Sequence, residues 1–420
     1  MAFNTAVSGL TAASTNLEII GNNVANAGTT GYKSARGEFA DVYASSQLGA
    51  AANAIGKGVS VSGVTQSFTQ GNISFTNNVL DMAINGGGFF LLNDNGSNVY
   101  SRAGNFQVDN QGFVVNPLGN KLQVFNTTDT GEQTGGVGDL LIDTSLIQPS
   151  GTEVVEFTAN VDSRDVNSVL PFGTYDAFAV PPTAPVADEF NSSTSVTIYD
   201  SLGNSHVMST YFERTASNQW NVHTLIDGVS QGAATPVEFL DTGAIKAGVG
   251  LNTSITVTAW APKNASGDPT GAADQTFVVD LSDITQFGAE FAVTDVQQDG
   301  FSTGQLSGIE VGDTGVVFAR FTNGQSRSLG QVALSTFTNA NGLQPLGGSR
   351  WAETFISGQP IISTPGLGGV GLVQSGALEE SNVEVSQELV NMIVAQRNFQ
   401  ANAKMIQTED TITQTVINLR

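Results

Sequence analysis

Apolar residues recur at alternating steps of four and three at both extremities of this chain, although almost the whole sequence lies between them. At the start they are Ala6, Leu10, Ala13, Leu17, Ile20 and Val24; near the end, Val385, Leu389, Met392, Phe399, Ala403 and Ile406. This spacing puts apolar groups on one seam of an α-helix. Two helices with matching seams need a partner, either each other or neighbouring copies. The pattern points to assembly, not to a catalytic pocket.

The first helix is expected from about Asn4 to about Asn26, roughly 35 Å of helix. Glu18 is its only charged residue. Gly9 and Gly21 inside it are each less favourable than Ala by about 1 kcal/mol, which suits a close approach by another helix. The last helix is expected from Ser381, capped with Glu384 three residues on, to about Leu419, roughly 55 Å. Glu384 and Glu388 favour its positive start and Arg420 its end. The seam misses at Gln396 and Asp410 and passes beyond Lys404 to Met405, Ile412, Val416 and Leu419. Two overlapping seams mean two buried faces and several neighbours. The candidate interface residues are therefore Leu10, Leu17, Ile20, Val24, Leu389, Met392, Phe399, Ile406 and Val416. Phe399 and Met392 are read as intersubunit anchors, with simple pairing to the first helix as the plainer alternative. Helices with an unpartnered apolar face fold poorly alone, so both termini are expected to order on assembly.

Between the ends the texture changes. ANAGTTGYK, from Ala25 to Lys33, breaks the helix with Asn, Gly and Thr. An extended connector with short strands follows. From about Phe68, runs such as GGFFLL and GFVVN, punctuated by Asn95-Gly96 and Gly119-Asn120, read as short strands of a β-domain. Residues 146–296 form a second β-rich block holding 18 Asp or Glu and 4 Lys or Arg, a net of −14 out of the chain's −23. Its clearest hairpin is TSVTIYDSLGNSHVMSTYF, turning at Asp200 to Asn204. Concentrated acid suits a domain that faces water. Residues 297–370 repeat the texture of 68–145, so these two pieces are read as one domain carrying the acidic block as an insertion. The expected fold is mainly β with long terminal α-helices and a helical coiled-coil region. The terminal helices are assigned to 1–30 and 378–420, the connectors to 31–67 and 371–377, and the two β-domains as above.

Composition narrows the function. With 38 Asp plus Glu against 15 Lys plus Arg, nucleic acid and anionic membrane surfaces are poor partners. Charged residues make up only 13%, and uncharged polar surface suits wide contact with other protein. The absence of cysteine removes disulfides and thiolate chemistry. No apolar run is long enough to span a bilayer, and the Met-Ala-Phe-Asn-Thr start has no basic n-region of a cleavable signal peptide. His206 and His223 lie on expected strands and are read as satisfied structural histidines. Gly366, Gly368 and Gly371 match G-x-G-x-x-G without a surrounding β-α unit and read as a linker. No catalytic residue, metal site or cofactor is assigned.

ANAGTTGYK resembles the N-terminal signature of the bacterial flagellar rod and hook protein family; its carriers here are Asn26, Thr30, Gly31, Tyr32 and Lys33. LDMAINGGGFF and YSRAGNFQVDNQGFVVNPLGNKLQVF resemble the family's shared β-domain. GALEESNVEVSQELVNMIVAQRNFQANAKMIQTEDTITQTVINL is similar to its C-terminal helix. The large insertion, with VTIYDSLGNSHVMSTYF and NQW, resembles the hook branch in particular. The resemblance implies a homopolymeric tube with terminal helices innermost and the inserted domain outermost. It implies a flexible joint carrying torque from rod to filament, and uncleaved export by the flagellar type III apparatus to a place in the hook and basal body. It also implies partners among rod, hook-cap and hook–filament junction proteins. A distal rod subunit is the alternative within the family, and a secreted β-rich adhesin the alternative outside it.

Overall fold

The computed structural model describes residues 2–42, 56–248 and 252–418. The chain divides into two compact units: Met1–Thr144 with Ser307–Arg320 and Ser326–Arg420, and Ser145–Leu306 with Phe321–Gln325. Helix α1 spans Ala2–Ala25 and helix α2 spans Val385–Asn418. The other regular elements among the described residues are strands and two short 3-10 turns. The chain is thus mainly β with long terminal helices.

In the first unit, α1 stops where Asn26, Gly28 and Gly31 succeed one another. Strands β1 (Ala35–Asp41) and β2 (Val59–Gln66) then form an antiparallel hairpin with a bulge between Glu38 and Phe39. The hairpin lies along α1. At one end the Val59 N–H donates to Ser8 Oγ at 3.3 Å. At the other, the Ala35 N–H donates to Asn23 Oδ1 at 2.9 Å and Asn23 Nδ2 returns a bond to Ala35 O at 2.8 Å. The middle of the connector, residues 43–55, lies outside the described residues.

The main sheet runs, in spatial order, Leu306–Val311, Val316–Phe321, Ser326–Val332, Lys121–Thr127, Phe89–Asp94, Ser97–Ser101, Arg350–Ala352 and Gln344–Gly347. Strands from before and after the insertion therefore share one ladder, with Val332 opposite Val124 and Trp351 opposite Tyr100. Asn95 (φ 52°) and Gly96 (φ 96°) close the hairpin between Phe89–Asp94 and Ser97–Ser101, because a tight turn of this hand needs positive φ at both central residues. The core is aromatic: Phe89 meets Phe68 edge-on at 5.4 Å and Trp351 at 5.7 Å. Trp351 Nε1 reaches Gln66 Oε1 at 2.6 Å, satisfying the indole donor.

The short stretch 371–377, expected as a connector, is instead built into the strands of the first unit, its β-body. Leu372–Ser375 pairs with Met82–Asn85, and Ala377–Glu379 pairs with Ile73–Phe75. The expected Ser381–Glu384 capping box does not form either. Ser381 Oγ accepts the Val383 N–H at 3.3 Å, and the helix begins four residues later than expected, with the Glu388 N–H bonded to Glu384 O at 3.0 Å. The local serine turn outcompetes the cap. Leu419 and Arg420 lie outside the described residues.

The second unit contains two five-stranded sheets. In one, Val154–Asp162 is parallel to Gln275–Asp280 and to Thr285–Phe287, and antiparallel to Ala292–Gln298. In the other, Ser192–Tyr199, Ser205–Ala216 and Gln219–Ile226 form an antiparallel meander. Alternate residues of both sheets (Phe157 and Phe277 from one, Phe212 and Trp220 from the other) enter one core, which makes a β-sandwich. The unit also takes in residues 297–306, beyond the expected limit of the acidic block.

Candidate assembly interface

The segment after α1 is a closed turn in which each signature residue has a physical task. Asn26 Nδ2 donates to Asn22 O at 2.9 Å and accepts, through Oδ1, the Thr29 hydroxyl at 3.2 Å, so the helix end is tied off by side chains. Gly31 sits at φ 67°, and a Cβ there would lie 2.4 Å from the backbone nitrogen of Ala103. Only glycine fits. Its N–H donates to Glu379 O at 2.8 Å. Thr30 O accepts the Ser349 hydroxyl at 3.1 Å. The Tyr32 hydroxyl lies 3.3 and 3.2 Å from the amide oxygens of Asn22 and Asn23. Burial, and then the charge of Glu388, raise its pKa.

Lys33 is fully buried and its Nζ lies 2.6 Å from Glu379 Oε1, which is fully buried too. Arg102 NH1 meets the other oxygen of the same carboxylate at 3.0 Å. Lys33 Nζ also donates to Thr69 O at 2.7 Å, Arg102 NH2 to Gly86 O at 2.8 Å, and the Gly71 N–H to Glu379 Oε1 at 2.8 Å. Arg102 lies over the Phe89 ring at 5.6 Å. Burial lowers the pKa of Lys33, offset in part by Glu379, and burial likewise lowers that of Arg102. Asn382 reinforces the junction: its Oδ1 accepts the Ser34 N–H at 2.7 Å and its Nδ2 donates to Ser67 O at 2.8 Å.

The two helices pack on each other. Gly9 marks the close approach, since a Cβ there would lie 2.6 Å from Asn402 Oδ1. On α1, Ala6, Ala13 and Ile20 are buried and Leu10, Leu17 and Val24 half-buried. Of the two partners that the spacing left open for the α1 stripe, the structure supplies the one within the same chain, α2 with the β1–β2 hairpin; Met392 and Phe399, expected as intersubunit anchors, lie on the α2 face toward α1 instead. On α2, Met392, Phe399, Ala403 and Ile406 are half-buried on the face that carries Asn402, with Ala395 fully buried among them. A second apolar face stays open. Leu389, Val390, Ile393, Val394, Met405 and Ile412 are each about half exposed. The side chain of Val416 lies outside the described ones. A groove of about 910 Å³ runs between α1, β1 and α2, lined by Ile19, Ile20, Phe68 and Val394 among others. Within its wall, Glu388 Oε2 is buried without a hydrogen-bond partner.

The two histidines have local partners. His206 Nδ1 lies 2.6 Å from Asp227 and its Nε2 3.4 Å from Asp200. His223 Nε2 lies 2.9 Å from Glu213. No group of three or more acidic or histidine ligands converges on a metal position among the described residues.

Sequence reasoning did not single out Glu379, Arg102 or Asn382. In a chain with only 15 cations, a lone Arg inside a strand-rich run and a Glu just before the last helix were the available signal. Nothing in spacing could join positions so far apart along the chain.

Comparison with known proteins adds four matches in order along the chain. The families described as "Flagella basal body rod protein", "Flagellar hook protein FlgE/F/G D1 domain", "Flagellar basal body protein FlaE D2 domain" and "Flagellar basal body rod FlgEFG protein C-terminal" match residues 3–33, 83–162, 160–301 and 374–419 respectively. The flagellar hook protein FlgE of Escherichia coli (strain K12) is 38% identical over 429 residues, covering 100% of both chains. That of Treponema pallidum (strain Nichols) is 32% identical, covering 99% of this chain and 98% of its own. The crystal structure of Helicobacter pylori flagellar hook protein FlgE2 has a TM-score of 0.54 at 16% identity, over 73% of this chain and 100% of that one, a likeness of fold.

Proposed function

The chain belongs to the flagellar hook protein family, and on that premise we propose that its copies join, through their terminal helices, into the tubular joint between rod and filament. It is a structural subunit of the bacterial flagellar hook, in a family of structural rather than catalytic proteins.

The observation that carries this reading is the open apolar face of α2. Half-exposed Val390, Val394, Met405 and Ile412 repeat along one side of a helix whose opposite side is already engaged by α1. A monomer gains nothing from that stripe, whereas a neighbour covering it removes apolar surface from water. The half-buried set (Leu10, Leu17, Val24, Met392, Phe399 and Ile406) then holds the helix pair together, with Ile20 buried beneath it. Leu389 and the open stripe receive sister subunits.

Replacing Met405 by Asp puts a charge into that contact while leaving α1's partner face intact. Sedimentation of concentrated protein should show wild-type polymer and variant monomer. Equal polymerisation of both would reject the assignment. Rod, hook-cap and hook–filament junction proteins are the proposed partners at the ends of the tube. The flagellar type III apparatus is the proposed export route.

A further inference from the structure

Glu379 ends a strand of the β-body, and six residues later α2 begins at Val385. The same residue takes bonds from the root of α1. Its carbonyl accepts the Gly31 N–H at 2.8 Å and its carboxylate meets Lys33 Nζ at 2.6 Å. From the β-body itself come the Gly71 N–H at 2.8 Å and Arg102 at 3.0 Å. One carboxylate is therefore the point where the exit of α1, the entry of α2 and the sheet all meet.

We propose that Lys33, Arg102 and Glu379 form a buried charge clamp that fixes how the helix pair leaves the β-body, and that this fixed exit is what makes subunits competent to join. The inference rests on the hook reading for its second half only. Apolar contacts are non-directional and allow sliding, whereas charge-assisted hydrogen bonds hold an angle. Full burial makes the arrangement all-or-none, because a half-made contact would leave a charge without water and without a partner. A joint that carries torque needs such a non-slipping root.

Lys33→Met is the informative variant. It removes one of two cations and leaves Arg102 and Glu379 as a balanced pair, so the sheet has no reason to unfold. The chain has no cysteine, so Ser97→Cys on the β-body and Gln400→Cys on α2, both exposed, can carry spin labels on the full-length protein. The clamp predicts a narrow distance distribution with Lys33 and a clearly broader one with Met, the thermal transition of the β-body being kept. It further predicts a critical concentration for polymerisation raised roughly tenfold or more, the worth of one charged hydrogen bond. A distribution as narrow as with Lys33 overturns the clamp. A broadened distribution with an unchanged critical concentration overturns its role in joining. Wild-type protein that never polymerises refutes the hook reading instead, and the label distances still judge the clamp.

Discussion

Gly9 of α1 and Asn402 of α2 meet with no room between them for another atom, a Cβ on Gly9 falling 2.6 Å from Asn402 Oδ1. Because the obstacle is the end of a movable side chain, Gly9→Ala should be close to neutral: Asn402 shifts while the helix gains about 1 kcal/mol of propensity. Gly9→Val has branched bulk that Asn402 cannot evade. It should part the helices and lower the helix signal in circular dichroism. An unchanged signal in the Val variant would mean that the crossing is not where Gly9 places it.

Phe399 lies half-buried on the face of α2 that also carries Asn402. Phe399→Asp removes apolar burial worth roughly 1–2 kcal/mol and sets a charge against α1, whose only charge is Glu18. The expected outcome is loss of α1–α2 pairing and of polymer, with the second unit's thermal transition unmoved. Calorimetry checks it; a drop in that transition would show that the damage spreads beyond the helices.

Glu379→Gln leaves Lys33 and Arg102 buried without their counter-charge. Breaking one side of a buried pair typically costs about 3–5 kcal/mol. Urea unfolding followed at Trp351, in the first unit, should shift by that amount. A shift below about 1 kcal/mol, the range of exposed pairs, would mean that water reaches the cluster.

The second unit should lose stability on the alkaline side of neutrality. Burial alone would lower the His206 pKa, but Asp227 at 2.6 Å and Asp200 at 3.4 Å outweigh it and hold it above the usual value. A raised folded pKa contributes stability that is fully present below the unfolded value of about 6.5 and lost as pH rises through the folded one. Melting at pH 6 should therefore exceed melting at pH 9, and His206→Gln should flatten the difference. At the acid end, burial would raise the pKa of Asp200 and Glu213, but their partners hold both below the ordinary range. Their contribution is present above about pH 4 and disappears as pH falls further. A second unit that melts higher at pH 9 than at pH 6 would contradict the histidine assignment.

Both helices were legible because their periodicity is local. So were the Asn95-Gly96 turn and the Asp200 to Asn204 turn, where residue chemistry alone selects the backbone. The pattern did not say which side of α2 faces α1. Met392, Phe399 and Ile406 and the stripe through Val390, Val394 and Met405 are both apolar, and only the close approach at Gly9 tells them apart. The charge cluster was hidden for another reason. Lys33 and Glu379 are separated by 346 positions, and pairing across that distance depends on the whole sheet between them.

Electron microscopy of concentrated full-length chain tests the central claim, that copies join through the open face of α2. The account predicts tubes from the wild type and none from a Val394→Asp, Met405→Asp variant whose β-sheets remain folded. Tubes from that variant, or a wild type that stays monomeric at every concentration, would contradict it.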